Sequence, residues 1–130
     1  MDVGDPSNFV RIRQLYDNDF SKLTKNLSSY SFDDETTKSA MASIYENSKY
    51  VADPHGAVGY LGLKKYQQNH PDTYGIFLET AHPVKFIAIV EKTLKYTPEI
   101  PRQIQKVMNK EKVAIQISNY DALKSYLMTS

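Results

Sequence analysis

A chain of 130 residues with sixteen basic and fifteen acidic side chains, a formal charge of +1, has room for one domain and a real core. It offers no electrostatic footprint for nucleic acid or for a membrane surface. With 41% hydrophobic and 24% charged residues it is far from a disordered composition, and the lack of cysteine removes disulfides, thiol catalysis and cysteine-based zinc sites together.

These totals raise the prospect of a small-molecule function in the reducing cytoplasm. The opening Met1-Asp2-Val3-Gly4-Asp5 carries two acids and no apolar segment, so it is not a signal peptide. No apolar run approaches the ~18 residues of a membrane span. Turn and cap chemistry starts at once in Asp5-Pro6-Ser7-Asn8, which predicts that Met1 is a boundary within something longer.

Phe9, Ile12, Tyr16, Phe20 and Leu23 recur at helical spacing behind Pro6 and predict one continuous first helix. Residues 28–32 alternate polar and aromatic and read as a strand. Asp33-Asp34-Glu35 then puts acids at a helix start, and Ala40, Met41, Ile44 and Tyr45 give that helix its buried stripe. A very short strand is expected at 50–51. Asp53-Pro54 caps a third helix reaching about Gln68, whose first turns carry Gly56, Ala57, Gly59 and Gly62. Glycine inside a helix costs ~1 kcal/mol against alanine, so these glycines imply a close approach by other atoms.

Residues 74–78 are short and apolar on both faces, the pattern of a central parallel strand. The segment ends at Glu79-Thr80-Ala81-His82, where Pro83 opens a helix carried by Phe86, Ile87, Val90 and Leu94. Beyond a proline-stiffened connector the pattern predicts a helix over 102–110, a strand over 113–117 and a last helix behind Ser118 and Asp121. Alternating strands and helices predict an α/β fold with a small, open, mostly parallel sheet and helices packed on it. Ligands in such folds sit beyond the carboxyl ends of the strands, which directs attention to residues 79–85 and the glycine-rich start of the third helix.

Thr80 leaves a predicted strand just before a proline-led helix, where its hydroxyl can donate and accept; the alternative is a cap for that helix. His82 and His55 lie at or beside helix starts, which favour a neutral imidazole, although packed, hydrogen-bonded histidines fit as well. His70 falls in a polar turn. Three histidines with no i/i+4 pair make a poor metal set. Lys85, one turn into a helix, has the chemistry to bind an anion or form an imine, or it is a solvated surface lysine. Ser7-Asn8 presents free N–H groups suited to phosphate, or simply caps the first helix. No Walker, G-x-G-x-x-G or Ser-His-Asp pattern occurs.

Three runs, residues 1–9, Asp53-Pro54-His55-Gly56-Ala57-Val58-Gly59-Tyr60 and Thr80-Ala81-His82-Pro83-Val84-Lys85-Phe86, resemble successive blocks of the threonine synthase family in the order of its C-terminal part, with Phe32-Asp33-Asp34-Glu35-Thr36 between the first two. The resemblance covers residue 1 to about 94, and the third block is the most specific.

It implies part of a pyridoxal-phosphate enzyme of the tryptophan-synthase-β type, which converts O-phosphohomoserine and water to threonine and phosphate. Residues 1–97 would be the C-terminal portion of the cofactor-binding region and 98–130 a helix–strand–helix extension of the same unit. The family's cofactor-bearing lysine and phosphate loop lie upstream of the matched blocks, so this chain alone is expected to be inactive. Thr80 would face the pyridine nitrogen of the cofactor, with His82 as its neighbour, and Ser7, Asn8 and Lys85 would lie on the substrate side. Gly56 departs from the family's commoner threonine or alanine, which puts a side-chain contact there in doubt. The alternatives are another pyridoxal-phosphate lyase of the same fold type, or a free-standing binding module. Self-association through bared apolar surface is a further expectation.

Overall fold

A computed structural model describes residues 6–129, and within them the backbone bonds run along helices rather than between strands. Residues 1–5, the first part of the resemblance, lie outside the described residues. The chain forms two compact units, Met1–Pro98 and Glu99–Ser130.

The first unit begins with a helix that the periodicity treated as one and the structure breaks in two. α1 spans Phe9–Leu15 and α2 spans Phe20–Asn26. Between them Asp17 and Asn18 adopt left-handed φ values of 55° and 57°, a region that Asp and Asn enter more readily than other non-glycine residues. Asp19 then caps α2, accepting from the Ser21 and Lys22 amides at 2.8 and 3.2 Å. The apolar stripe survives the break, since Phe9, Tyr16, Phe20 and Leu23 still line one groove.

Three helices build the core. α3, Asp34–Ser48, starts where the Asp33 carboxylate accepts the Thr36 amide at 2.7 Å. α4 is Pro54–Asn69. A 3-10 turn at Pro83–Phe86 runs into α5, Ile87–Leu94. Met41, Ala57 and Val90, one from each helix, are fully buried together, and Val51, Tyr60, Leu61, Phe86 and Leu94 close around them.

The expected α/β architecture is wrong: no strand and no sheet occurs among the described residues, and segments 28–32, 50–51, 74–78 and 113–117 pair with nothing. Residues 74–78 show the physical reason. Apolar side chains on both faces suggested two buried faces, but Tyr74, Ile76 and Leu78 are 105%, 90% and 74% exposed. A strand needs a neighbour for its amides, and none of the described segments supplies one. What remains of strand geometry is the alternation. Gly75 abuts Leu63, the Phe77 ring meets Tyr60 edge-on at 5.8 Å, and Glu79 reaches Gly56. The segment thus runs antiparallel along α4. Its four-residue advance covers roughly 13 Å against about 10 Å for the seven-residue advance of the helix.

The second unit holds α6, Arg102–Gln105, and α7, Tyr120–Thr129, whose start is capped by Asn119 accepting the Ala122 amide at 2.9 Å. The helix expected over 102–110 stops after one turn because Val107 and Met108 stay exposed; without a buried face a short helix has little to hold it.

Candidate functional site

The sequence directed attention to residues 79–85 and the start of α4, and the two meet at the α4 N-terminus. Asp53 is the N-cap there and is fully buried. Its Oδ1 accepts from the His55 amide at 2.6 Å and the Gly56 amide at 3.3 Å, which answers two of the four amides a helix start leaves unpaired. The Asp53 amide in turn donates to Glu79 Oε1 at 2.8 Å. Glu79 is therefore stitched to the cap of α4 from 26 residues away.

Gly56 makes the stitch sterically feasible. A Cβ at this position would coincide with the Glu79 carboxyl group, whereas one at Gly59 or Gly62 would sit 3.8 Å from Phe77 or 3.7 Å from Tyr30, an ordinary contact. Of the helix glycines, Gly56 is the one where an added Cβ would displace a neighbour, the Glu79 carboxyl group.

Burial pushes the Glu79 carboxyl above its ordinary range, opposed by the Asp53 amide and reinforced by the Asp53 charge and by side-chain hydrogen bonding to Asp53. Asp53 Oδ2 and Glu79 Oε2 are both buried without a hydrogen-bond partner among the described residues.

Thr80 follows Glu79 and is exposed, and its hydroxyl makes no hydrogen bond to a described residue. The cap of the 3-10 turn is His82, whose Nδ1 accepts the Val84 amide at 3.2 Å and so carries no proton in this bond. Lys85 is exposed, with Nζ 5.6 Å from the Phe86 ring centre. Phe86 also meets His55, ring centres 5.0 Å apart, and His55 Nδ1 lies 3.3 Å from Asp53 Oδ1. His70 stacks on Tyr66 at 4.1 Å.

Ser7 and Asn8 are exposed at the start of α1, Asn8 without a side-chain cap bond, and no hydrogen bond joins either to Thr80, His82 or Lys85. A cleft of about 470 Å3 opens between the starts of α3 and α4, lined by Asp34, Thr37, Pro54, His55, Phe86 and Ile89. Sequence reasoning missed the Asp53–Glu79 contact, although the in-helix glycine at 56 signalled that something lay against it.

The local design is that of a helical module presenting an exposed hydroxyl and a histidine from a segment pinned to a helix cap. Comparison with known proteins gives it a family. Residues 56–127 match the model for "Threonine synthase, C-terminal". Threonine synthase from Escherichia coli K12 is 39% identical over 104 residues, 80% of this chain and 23% of that protein. The enzyme of Buchnera aphidicola from Baizongia pistaciae is 35% identical over 133 residues, 98% of this chain and 29% of its own length.

The crystal structure of threonine synthase from Escherichia coli superposes with a TM-score of 0.76 at 33% identity, covering 99% of this chain and 29% of that one. The chain belongs to the threonine synthase family. It spans less than a third of the length of these relatives. No helix among the described residues is long and apolar enough to cross a membrane.

Proposed function

We propose that this chain forms one wall of the cofactor cleft of a threonine synthase, the enzyme that turns O-phosphohomoserine and water into threonine and phosphate with pyridoxal phosphate. The observation that carries the reading is Thr80. Its hydroxyl has no partner within the described chain, while Glu79 just before it and His82 two residues after it are committed to the backbone at the α4 cap and in the 3-10 turn. A hydroxyl fixed in this way and left open fits a pyridine nitrogen. Being neutral, it cannot hold that nitrogen protonated as a carboxylate would, and so it moderates the ring. When bound, the cofactor supplies an electron sink for bond breaking next to the amino group; the protein supplies orientation and electrostatics. His82, Lys85 and the Ser7-Asn8 turn act as neighbours on the cofactor and substrate side. The cysteine-free sequence supports a reducing, cytoplasmic setting.

The test is made in the intact enzyme carrying this region. It releases phosphate from O-phosphohomoserine only with pyridoxal phosphate present, and Thr80→Val, which keeps the shape, lowers turnover and shifts the cofactor absorption band. The net value of one hydrogen bond, ~0.5–1.5 kcal/mol, sets a floor of roughly two- to thirteen-fold on the rate. An unchanged rate and band would take Thr80 out of the site.

The outward face of residues 74–78 extends the reading. Unpaired extended backbone and exposed apolar side chains template association, so the 130-residue chain by itself forms dimers or larger species as its concentration rises, measured by light scattering. A monomer at high concentration would contradict this.

A further inference from the structure

Two acids meet in the notch at Gly56, and among the described residues no lysine or arginine is paired to either. Glu79 Oε1 takes the Asp53 amide and Asp53 Oδ1 takes the first amides of α4, which leaves Glu79 Oε2 and Asp53 Oδ2 buried and unanswered. Buried polar atoms are nearly always bonded, and two ionised carboxylates enclosed together suffer both desolvation and mutual repulsion. A single proton removes both penalties, because it turns one carboxyl into a donor toward the other. The remaining groups facing Glu79 leave room for that proton. His55, beside Asp53, opposes it with the smallest of the effects acting on Glu79, and Tyr50 is a phenol whose own ionisation is pushed up, first by burial and then by the charges of Glu79 and Asp53.

We propose that Asp53 and Glu79 share one proton, and that Glu79 through this shared contact is the positioning residue that holds Thr80 in place. The second half rests on reading Thr80 as the cofactor-facing hydroxyl; the first does not. Burial and the Asp53 charge act on Glu79 in the required direction. A carboxyl whose native pKa is raised binds its proton more tightly folded than unfolded. Its contribution to stability is complete below the unfolded value, near 4.5, and is lost as the pH rises through the native value.

The experiment has two arms. In the 130-residue chain, carboxyl carbon NMR follows the titration of Glu79, and urea unfolding follows stability with pH. Glu79 is expected to titrate above its usual range, and Asp53→Asn is expected to bring it back down. Glu79→Gln, whose amide can donate permanently, should abolish the loss of stability through that pH window. Glu79 titrating at its ordinary value, unmoved by Asp53→Asn, overturns the shared proton.

In the intact enzyme the readout is the cofactor band. Gly56→Ala keeps a good helix former but occupies the Glu79 carboxyl's place, so it should shift the band as Thr80→Val does, while Glu79→Gln should leave it near wild type. If Thr80→Val shifts the band and Gly56→Ala does not, positioning by Glu79 is refuted while the cofactor role of Thr80 stands. If Thr80→Val itself has no effect, the cofactor role of Thr80 fails and positioning falls with it.

Discussion

Mixed with pyridoxal phosphate and O-phosphohomoserine, the 130-residue chain alone releases no phosphate above background. Of its lysines, Lys85 lies nearest in sequence to Thr80, and it is exposed, with Nζ 5.6 Å from the Phe86 ring centre. A catalytic lysine is held in a pocket beside the cofactor, whereas Lys85 is exposed. Positioning residues cannot substitute for covalent attachment of the cofactor, so the loss should span the whole acceleration, typically a million-fold or more for an enzyme. Colorimetric phosphate release measures it. Turnover by the chain alone would mean that it carries the cofactor-bearing lysine after all, and Lys85→Met would be the first variant to make.

The second large effect is on stability. Met41→Ala should cost about 2–5 kcal/mol, because it empties a site where α3, α4 and α5 converge. Met41 is wholly buried and touches the Ala57 and Val90 side of the core, where small neighbours have little side chain with which to refill the space. Domains are commonly stable by only about 5–15 kcal/mol, so this one truncation removes a large share. Urea unfolding should show a lower midpoint with the same slope. Met108→Ala, at an exposed position in the second unit, serves as the control and should stay within about 0.5 kcal/mol of the parent. A cost for Met41→Ala no larger than the control's would show that the core is held elsewhere.

The parts of this fold that could be read from the sequence are those whose cause is local. Asp33 and Asp53 cap α3 and α4 as their residue types imply, and the buried stripe Ala40, Met41, Ile44 lies on the face its spacing predicts. Local signals also misled. The stripe from Phe9 to Leu23 keeps its period across a chain reversal, because Asp17, Asn18 and Asp19 serve a turn as readily as a helix surface. The sheet failed for a different reason. The apolar run at 74–78 records that something covers it, and composition does not say whether that cover is another strand or, on one side only, the glycine face of α4.

At the candidate site, the sequence points to residues 79–85 with the glycine-rich start of α4 beside them, though on the strength of a sheet that does not form. Their union through Asp53 and Glu79 joins residues far apart in the chain, which no periodicity encodes. Capping, expected of Thr80 if it had no other role, is done by His82.

The tie between Asp53 and Glu79 also has a meaning in polymer terms. It closes a loop between residues 26 positions apart that contains all of α4 and the turn after it. Bringing the ends of a flexible ring of that length together costs roughly 3 kcal/mol, whereas one hydrogen bond returns about 0.5–1.5 kcal/mol, or up to about 3 with a charged partner. The bond by itself therefore does no better than break even. It persists because α4 is already rigid, which shortens the flexible part of the ring, and because Phe77 and Gly75 dock on the same helix in the same event. Residues 75–79 therefore dock on α4 as one segment, and Thr80, the next residue, takes its place in the chain from that docking.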